Sequence, residues 1–181
     1  MVQDGDRKAF NHIANRYRDK LLNYINGFMH DFELSENLVQ DTLVKVYTKA
    51  DKYKEIAKFS TWVYTIAKNC ALTEYRKIKR RKTFSFSQLS NKDNEFNLER
   101  IEGKENLDIS NDSDIYNEIR EAITQLPEDF RNIIILKDIQ EHSYEEISYI
   151  TSLPLGTVKS RINRARLKLK EIIKQDRRNS K

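Results

Sequence analysis

Helix-breaking residues are scarce in this chain of 181 residues, which contains only four glycines and two prolines. Long stretches can therefore form uninterrupted α-helices. In the first 82 residues, apolar side chains recur mostly at spacings of three and four, which places them on one helical face. We predict a helix from Phe10, a second with Ser35 as its N-cap, and a third from near Ser60 or Thr61 into the basic run ending at Lys82. Three helices of this length can enclose one small core.

Between residues 83 and 113 the helical spacing fades, while Asn, Asp, Ser and Glu accumulate. We interpret this stretch as a flexible linker. Helical spacing returns from Ile115 to Leu126, stops at Pro127 and resumes at Phe130. No alternation of period two is long enough to predict a strand. The chain is therefore predicted to be all-α, with two small helical domains, residues 1–82 and 114–181, joined by a flexible linker.

Basic residues are concentrated in two parts of the sequence. The segment Lys68 to Lys82 holds seven Lys or Arg and one acid, and Leu155 to Lys181 holds ten against two. Between them, Asn91 to Asp114 has three bases and eight acids. Two basic blocks are compatible with a polyanionic partner, although a merely solvated charged surface has the same composition.

Cysteine and histidine patterns argue against a disulfide or a metal site. Cys70 is the only cysteine, and its place in an apolar helical pattern predicts a core side chain. The three histidines are far apart with no partner at ligand spacing, so we expect no metal and no cofactor. The N-terminus has no apolar signal region and no run approaches membrane-spanning length, so we expect a cytoplasmic protein without membrane insertion.

A helix-turn-helix is predicted within the stretch Ser143 to Lys170. A short helix with Tyr144, Ile147 and Ile150 on its inner face precedes a turn that contains Pro154. The next helix carries an apolar stripe, so its polar side chains must face outward or sideways: Lys159, Ser160, Arg161, Asn163, Arg164 and Lys168. Arg and Lys can bind guanine edges in a major groove, and Asn can bind adenine. The spacing alone also fits a solvated amphipathic helix.

Aromatic and basic side chains are interleaved around the start of the third predicted helix. They are Lys52, Tyr53, Lys54, Lys58, Phe59, Trp62 and Tyr64. Unpaired bases can stack on such rings while lysines bind phosphates, at about 1–3 kcal/mol for each stacked base. Phe59 and Trp62 also suit a hydrophobic core, and for Trp62 we favour the core.

Several sequence motifs carry a resemblance to one known family. SYEEIS followed by LPLGTVKSRINRAR resembles region 4 of the sigma-70 family of bacterial transcription initiation factors, in particular its extracytoplasmic-function (ECF) group. ENLVQDTLVKVY resembles the polymerase-binding helix of their region 2, and FSTWVYTIAKNCALTEYRK resembles their promoter-melting segment. TQLPEDFRNIIILKDIQEHSYEEI is similar to the segment before their helix-turn-helix. The resemblance covers nearly the whole chain and fails only in the linker.

The resemblance implies a protein without catalytic residues that binds core RNA polymerase, at its β′ clamp and β flap, and directs it to promoter DNA. Residues 1–82 would be region 2 and residues 114–181 region 4. The implied polymerase-binding residues are Leu38, Gln40, Asp41, Thr42 and Lys45. The implied contacts to melted −10 DNA are Lys58, Phe59, Ser60, Thr61, Trp62, Lys68, Asn69, Thr73 and Arg76. The implied contacts to the −35 duplex are Tyr144, Glu145, Thr157, Lys159, Ser160, Arg161, Asn163, Arg164 and Lys168. An anti-sigma factor is a further implied partner.

Two other classes of function stay open. A helix-turn-helix regulator that is not a polymerase subunit would use the C-terminal motif but has no need of the aromatic and basic segment. A nucleic-acid-processing enzyme is the third class. It finds no support, because clustered carboxylates, a Gly-rich phosphate loop and a nucleophile arrangement are all missing from the sequence.

Overall fold

The computed structural model describes residues 7–89 and 113–179. Over these residues the chain forms α-helices and no β-strand, so the all-α prediction is confirmed. The helices are α1 (Arg7–Met29), α2 (Phe32–Thr48), α3 (Phe59–Leu89), α4 (Ser113–Thr124), α5 (Glu128–Ile134), α6 (Tyr144–Thr151) and α7 (Leu155–Asn179). A 3-10 turn, Ala50–Lys52, follows α2, and a π-helical turn, Ile135–Ile139, extends α5.

The predicted linker falls mostly outside the described residues. Of residues 83–113, the first seven continue α3 to Leu89, and Ser113 begins α4. The third predicted helix is therefore longer than expected at its C-terminal end. The division of the chain into two domains at these boundaries stays a prediction.

The junction between α1 and α2 differs from the sequence prediction. The backbone of His30 is left-handed (φ 55°) and ends α1. Asp31 is extended, and its carboxylate accepts a hydrogen bond from the N–H of Leu34 at 2.9 Å, so Asp31 is the N-cap of α2. The prediction that Ser35 caps this helix is wrong. Ser35 is buried inside α2, where its hydroxyl donates to the carbonyl of Asp31, because the aspartate four residues earlier already supplies the capping oxygen.

Helices α1, α2 and α3 pack together through the apolar positions that the spacing predicts. The buried members include Leu21, Ile25 and Phe28 of α1, Val39 and Val46 of α2, and Val63, Ala67 and Cys70 of α3. The core position expected for Cys70 is therefore confirmed.

The C-terminal half packs against this bundle and shares one continuous hydrophobic core with it. The buried run Ile133 to Leu136 lies where α5 passes into the π-helical turn, and this turn contacts α1. A Cβ atom added to Gly27 of α1 would lie 3.5 Å from Cδ1 of Ile135. This is an ordinary van der Waals distance, so α1 and the π-helical turn pack closely at this position. Helix α3 packs against α6 in the same interface.

Buried polar groups join the two halves. The guanidinium of Arg131 in α5 donates to the carbonyl of Phe28 at 3.1 Å and to that of Leu126 at 3.2 Å, and it also donates to the carbonyl of Thr124. Burial lowers the pKa of Arg131. Beside it, the buried hydroxyl of Tyr24 donates to Oδ1 of Asn132 at 2.7 Å. These hydrogen bonds supply partners for polar groups that the shared core shields from water.

Replacing Arg131 with Met tests the importance of this contact. Arg131→Met keeps a side chain of similar length but leaves the buried carbonyls of Phe28 and Leu126 without their donor. We expect the free energy of unfolding to fall by about 3 kcal/mol, measured by urea unfolding followed by circular dichroism. The control Arg16→Met changes an exposed position on α1 and should alter stability by less than about 0.5 kcal/mol. Equal losses in the two variants would contradict this assignment.

His30 makes stability depend on pH. Its Nε2 is buried without a hydrogen-bond partner among the described residues. Burial, with Arg131 and Arg120 nearby, lowers the pKa of His30 from 6.5 to about 4. The unfolded chain therefore takes up a proton at higher pH than the folded chain does. The contribution of His30 to stability is therefore present at pH values above 6.5 and is lost as the pH falls toward 4, by about 3 kcal/mol.

The variant His30→Asn removes this titration and keeps a residue that tolerates the left-handed backbone. Urea unfolding between pH 6.5 and about 4 should give a shallower loss of stability for this variant than for the wild type. Part of the slope should remain, because burial also lowers the pKa of His142. Identical slopes for His30→Asn and the wild type would show that His30 does not cause the pH dependence.

Candidate nucleic-acid interface

The predicted helix-turn-helix is present, and local side chains define its first helix. Ser143 caps α6: its hydroxyl accepts from the N–H of Glu146 at 3.1 Å, and Oε2 of Glu146 accepts from the N–H of Ser143 at 2.9 Å. This capping box satisfies two N-terminal donors reciprocally. Ser152 ends α6 with a left-handed backbone (φ 57°), and the Ser148 hydroxyl donates to the carbonyl of Leu153 in the turn. Helix α7 then begins at Leu155, as the sequence indicates.

Helix α7 presents a polar face to solvent. Val158, Ile162 and Ala165 are buried against the core. The predicted DNA contacts that lie exposed on α7 are Lys159, Ser160, Asn163, Arg164 and Lys168, and Glu145 is exposed on α6. Thr157 and Tyr144 are half-buried. The structure therefore brings most of the predicted duplex contacts to one accessible region.

Two ion pairs hold α7 against the segment before α6. Arg161 lies 3.0 Å from Oδ2 of Asp129, and Arg166 binds both carboxylate oxygens of Asp138. Arg161 was predicted as a DNA contact, and the structure gives it an intramolecular partner. The ring of Tyr144 lies 4.8 Å from Nζ of Lys137 and 5.9 Å from Nζ of Lys159, close enough for cation–π attraction. Tyr144 therefore helps to position Lys159.

The aromatic side chains before and within α3 form a cluster of half-buried rings. The centroid of Tyr53 lies 5.3 Å from those of Phe59 and Trp62, and these two are 5.7 Å apart. Phe59 and Trp62 pack at the edge of the core, and all three rings keep part of their surface in solvent. Tyr64 differs, because it is buried and its hydroxyl donates to Oε1 of Gln140. The cluster of Tyr53, Phe59 and Trp62 is therefore the part of this aromatic segment that stays partly exposed to solvent.

The predicted −10 contacts divide into exposed and buried groups. Lys58, Asn69, Thr73 and Arg76 are exposed, and Ser60 is half-buried. Thr61 and Lys68 are buried, and burial lowers the pKa of Lys68. Both side chains are turned away from solvent in this arrangement of the chain, and their contact with −10 DNA stays a prediction. The Thr73 hydroxyl donates to the backbone carbonyl of Asn69, so this hydrogen bond does not involve the side-chain amide of Asn69.

The predicted polymerase-binding surface is also only partly exposed. Gln40, Asp41 and Lys45 lie on the solvent side of α2. Leu38 and Thr42 are buried, and the Thr42 hydroxyl donates to the carbonyl of Leu38 inside the helix. Leu38 and Thr42 share the buried stripe of α2 with Val39 and Val46, and their contact with the polymerase stays a prediction.

Several residues that shape the interface were missed from the sequence. Lys58 pairs with Glu146 at 3.0 Å, and Arg76 lies 3.7 Å from Glu128. The pattern Ser-x-x-Glu at Ser143 could have revealed the role of Glu146 in capping. No local pattern links Lys58 to Glu146 or Arg76 to Glu128, because each pair joins positions far apart in the chain.

Within residues 7–89 and 113–179 no helix is long and apolar enough to cross a membrane. In the same part of the chain, no group of three His, Cys, Asp or Glu side chains could hold a metal ion.

Family models match both halves. The model for sigma-70 region 2 matches residues 13–81, and the model for sigma-70 region 4 matches residues 116–169. The chain is 33% identical to the RNA polymerase sigma-H factor of Pseudomonas aeruginosa over 170 residues, covering 91% of this chain and 86% of that protein. It is 34% identical to the ECF RNA polymerase sigma-E factor of Escherichia coli over 168 residues, with the same coverage.

Solved structures show the same fold. The sigma factor RpoE of Bartonella quintana, crystallised with the anti-sigma factor NepR, aligns with a TM-score of 0.68 and 27% identity. That alignment covers 92% of this chain and 98% of the other. CnrH, solved with the cytosolic domain of CnrY, aligns with a TM-score of 0.67 over 97% of this chain and 94% of its own. At 21% identity this second likeness concerns the fold alone.

Proposed function

This chain belongs to the sigma-70 family of transcription initiation factors, in its ECF group, and on that premise we propose that its two halves bind different elements of a promoter. The C-terminal half binds the −35 element as duplex, and the N-terminal half binds the −10 element once its bases are unpaired. The observation that carries the proposal is the presence of two exposed surfaces of different chemistry. One is the polar face of α7, and the other is the ring cluster with Asn69 on α3.

The face of α7 suits a duplex groove. Asn163 and Arg164 are exposed side by side, and Asn and Arg are side chains that bind base edges bidentately. Lys159 and Lys168 are exposed cations that suit phosphates. The helix-turn-helix supports α7 through buried Val158, Ile162 and Ala165, a geometry that matches insertion of the second helix into a major groove.

The α3 surface suits bases that have left the stack. The accessible edges of Tyr53, Phe59 and Trp62 provide rings on which bases stack, and Lys58 provides a cation for the adjoining phosphate. Further along α3, exposed Asn69 offers an amide that can hydrogen-bond to a base edge.

The proposed protein partner is core RNA polymerase, which starts transcription at the promoter that this chain binds. We assign the surface of this chain that docks on the polymerase to the exposed side of α2, with Gln40, Asp41 and Lys45. The curated relatives are RNA polymerase sigma factors, which supports this assignment. The chain acts as an initiation factor without catalysis of its own, in the cytoplasm, where the polymerase and promoter DNA are present.

An anti-sigma factor is a further partner of the proposed function. The Bartonella sigma factor that aligns over nearly the whole chain was crystallised with its anti-sigma factor. Regulation by a comparable protein inhibitor fits this chain, although no residue here specifies its identity. A regulator that is not a polymerase subunit is less favoured, because the region 2 match at residues 13–81 would have no role in it.

Transcription reconstituted with core polymerase on a library of promoter sequences tests the function directly. We expect transcripts from a defined subset of promoters that share paired −35 and −10 sequences. Sequence-selective duplex binding without any polymerase-dependent transcript would instead favour the regulator.

The docking surface on α2 is tested by changing its exposed side chains. The double variant Gln40→Ala with Asp41→Lys should bind core polymerase about tenfold more weakly, because it removes an amide and reverses a charge. Competition binding against labelled wild-type protein measures this change. The control Asp19→Lys makes the same charge reversal at an exposed position of α1. Unchanged affinity of the double variant, with a normal circular dichroism spectrum, would remove α2 from the docking site.

The division of labour is tested by three single variants. Arg164→Ala should weaken duplex binding by about 1–3 kcal/mol and relax preference at one base pair. Lys168→Ala is the matched control, which should weaken all duplexes alike and lower the salt slope by about one. Asn69→Ala should leave duplex binding unchanged but impair promoter opening, and a pre-melted bubble should not fully rescue it. Permanganate footprinting beside duplex binding measures both steps, and failure of Asn69→Ala and Arg164→Ala at the same step would contradict the model.

A further inference from the structure

Arg161 differs from the two cations nearest to it on α7, because a carboxylate from another helix holds it. Its Nη1 donates to Oδ2 of Asp129 in α5 at 3.0 Å, and its side chain is only 31% exposed. Lys159 instead lies over the ring of Tyr144. Arg164 is exposed and has no ion pair within the described part of the chain. The structure therefore separates three cations that the sequence pattern treats alike.

The position of Arg161 on the helix gives its side chain two directions. Successive residues of an α-helix are about 100° apart, so Arg161 lies about 60° from Val158 on one side and about 60° from Arg164 on the other. Val158 is buried and Arg164 is exposed. The Arg161 guanidinium can therefore extend toward α5 or toward the outward face of α7. The ion pair with Asp129 selects the direction of α5.

The other direction leads toward DNA phosphates. Lys168, the proposed phosphate contact, follows Arg161 by about two helical turns and lies on nearly the same side of α7. A guanidinium binds phosphate well, and each phosphate contact adds affinity that does not depend on base sequence. An Arg161 side chain released from Asp129 would therefore strengthen binding to every duplex, whether or not it contains a promoter.

The negative charge of Asp129 opposes this release. Transfer of Arg161 to a phosphate would break the ion pair and leave the Asp129 carboxylate unpaired beside DNA, where charges of like sign repel each other. The Asp129 side chain is 66% exposed, and ion pairs in such positions contribute little to stability. Loss of the pair should therefore move one side chain and leave the fold unchanged.

We propose that Asp129 is a specificity-determining residue for duplex binding, which keeps Arg161 on α5 and away from phosphates so that base contacts select the site. The proposal rests on the proposed function of α7, in which Asn163 and Arg164 provide those base contacts. Asp129 is a positioning residue, since it acts through Arg161 and contacts no base itself.

Asp129→Asn tests the proposal, because it keeps the shape of the side chain and removes the charge that holds Arg161. The probes are a duplex that the wild-type chain selects from a randomised pool and a scrambled duplex of the same composition. Fluorescence anisotropy of the full chain is measured over a series of salt concentrations. Asp129→Asn should bind the scrambled duplex about five- to tenfold more tightly, with a salt slope steeper by about one. Its affinity for the selected duplex should rise less, since base contacts already orient α7 there.

Two further variants serve as controls. Asp138→Asn removes the same charge and breaks the ion pair with Arg166, which lies about 140° around α7 from Arg161. This variant should retain the preference for the selected duplex. Asp129→Glu keeps a carboxylate at the same position and should also retain that preference.

A double variant shows whether Asp129 acts through Arg161. Adding Arg161→Ala to Asp129→Asn should return the affinity for the scrambled duplex and the salt slope to wild-type values. A gain that survives in the double variant would show that the Asp129 charge acts on DNA directly, which overturns the proposal. An unchanged salt slope in Asp129→Asn would overturn it as well, since no phosphate contact is then gained.

Transcription with core polymerase on a library of promoter sequences gives a second measurement. Holoenzyme with Asp129→Asn should use a broader set of −35 sequences than the wild type does, with unchanged preference at the −10 element. A wild-type chain without preference for any duplex, alone or in holoenzyme, would overturn the proposed role of α7. A clear wild-type preference that Asp129→Asn and Asp138→Asn retain equally would reject the role of Asp129 alone.

Discussion

The contact of the Arg131 guanidinium with the C-terminal ends of α1 and α4 determines how the two halves meet. The last carbonyls of a helix lack partners inside it and carry partial negative charge, so a buried cation is favourable there. Arg131 donates to the carbonyls of Phe28, Thr124 and Leu126, and the rings of Phe28 and Tyr75 lie about 6 Å from it. The helix that carries Arg131 continues into the turn that meets Gly27. One side chain thus connects three segments of the core.

The orientation of α7 follows from this arrangement. Asp129, two residues before Arg131, pairs with Arg161, and Asp138 in the π-helical turn pairs with Arg166. Both acids belong to the segment that Arg131 anchors. The polar face of α7 remains exposed because its opposite face is buried against that segment. Positioning of α7, the helix proposed to bind DNA, and packing of the two halves therefore depend on the same short stretch of chain.

Much of the fold could be predicted from local sequence. The helical spacing identified the helices, the buried stripes of α1, α2 and α7, and the helix-turn-helix, because amphipathic periodicity depends only on neighbours within a few residues. The prediction of the cap of α2 was wrong for a different reason. The sequence predicts Ser35 as the cap because serine is a good capping residue, but Asp31 is equally suitable and directly precedes α2. Leu38, Thr42, Thr61 and Lys68 match family motifs, and only the packed structure shows that their side chains are buried.

The sequence by itself determined an all-helical chain, the position of its turn and the chemistry of its outward side chains, since these depend on spacing and residue type. Only the tertiary structure decided which of those side chains reach solvent. It paired Lys58 with Glu146, Arg76 with Glu128 and Arg161 with Asp129. The physical reason is that contacts between distant residues arise from packing of whole helices, which brings together positions whose separation in sequence carries no information about their distance in space.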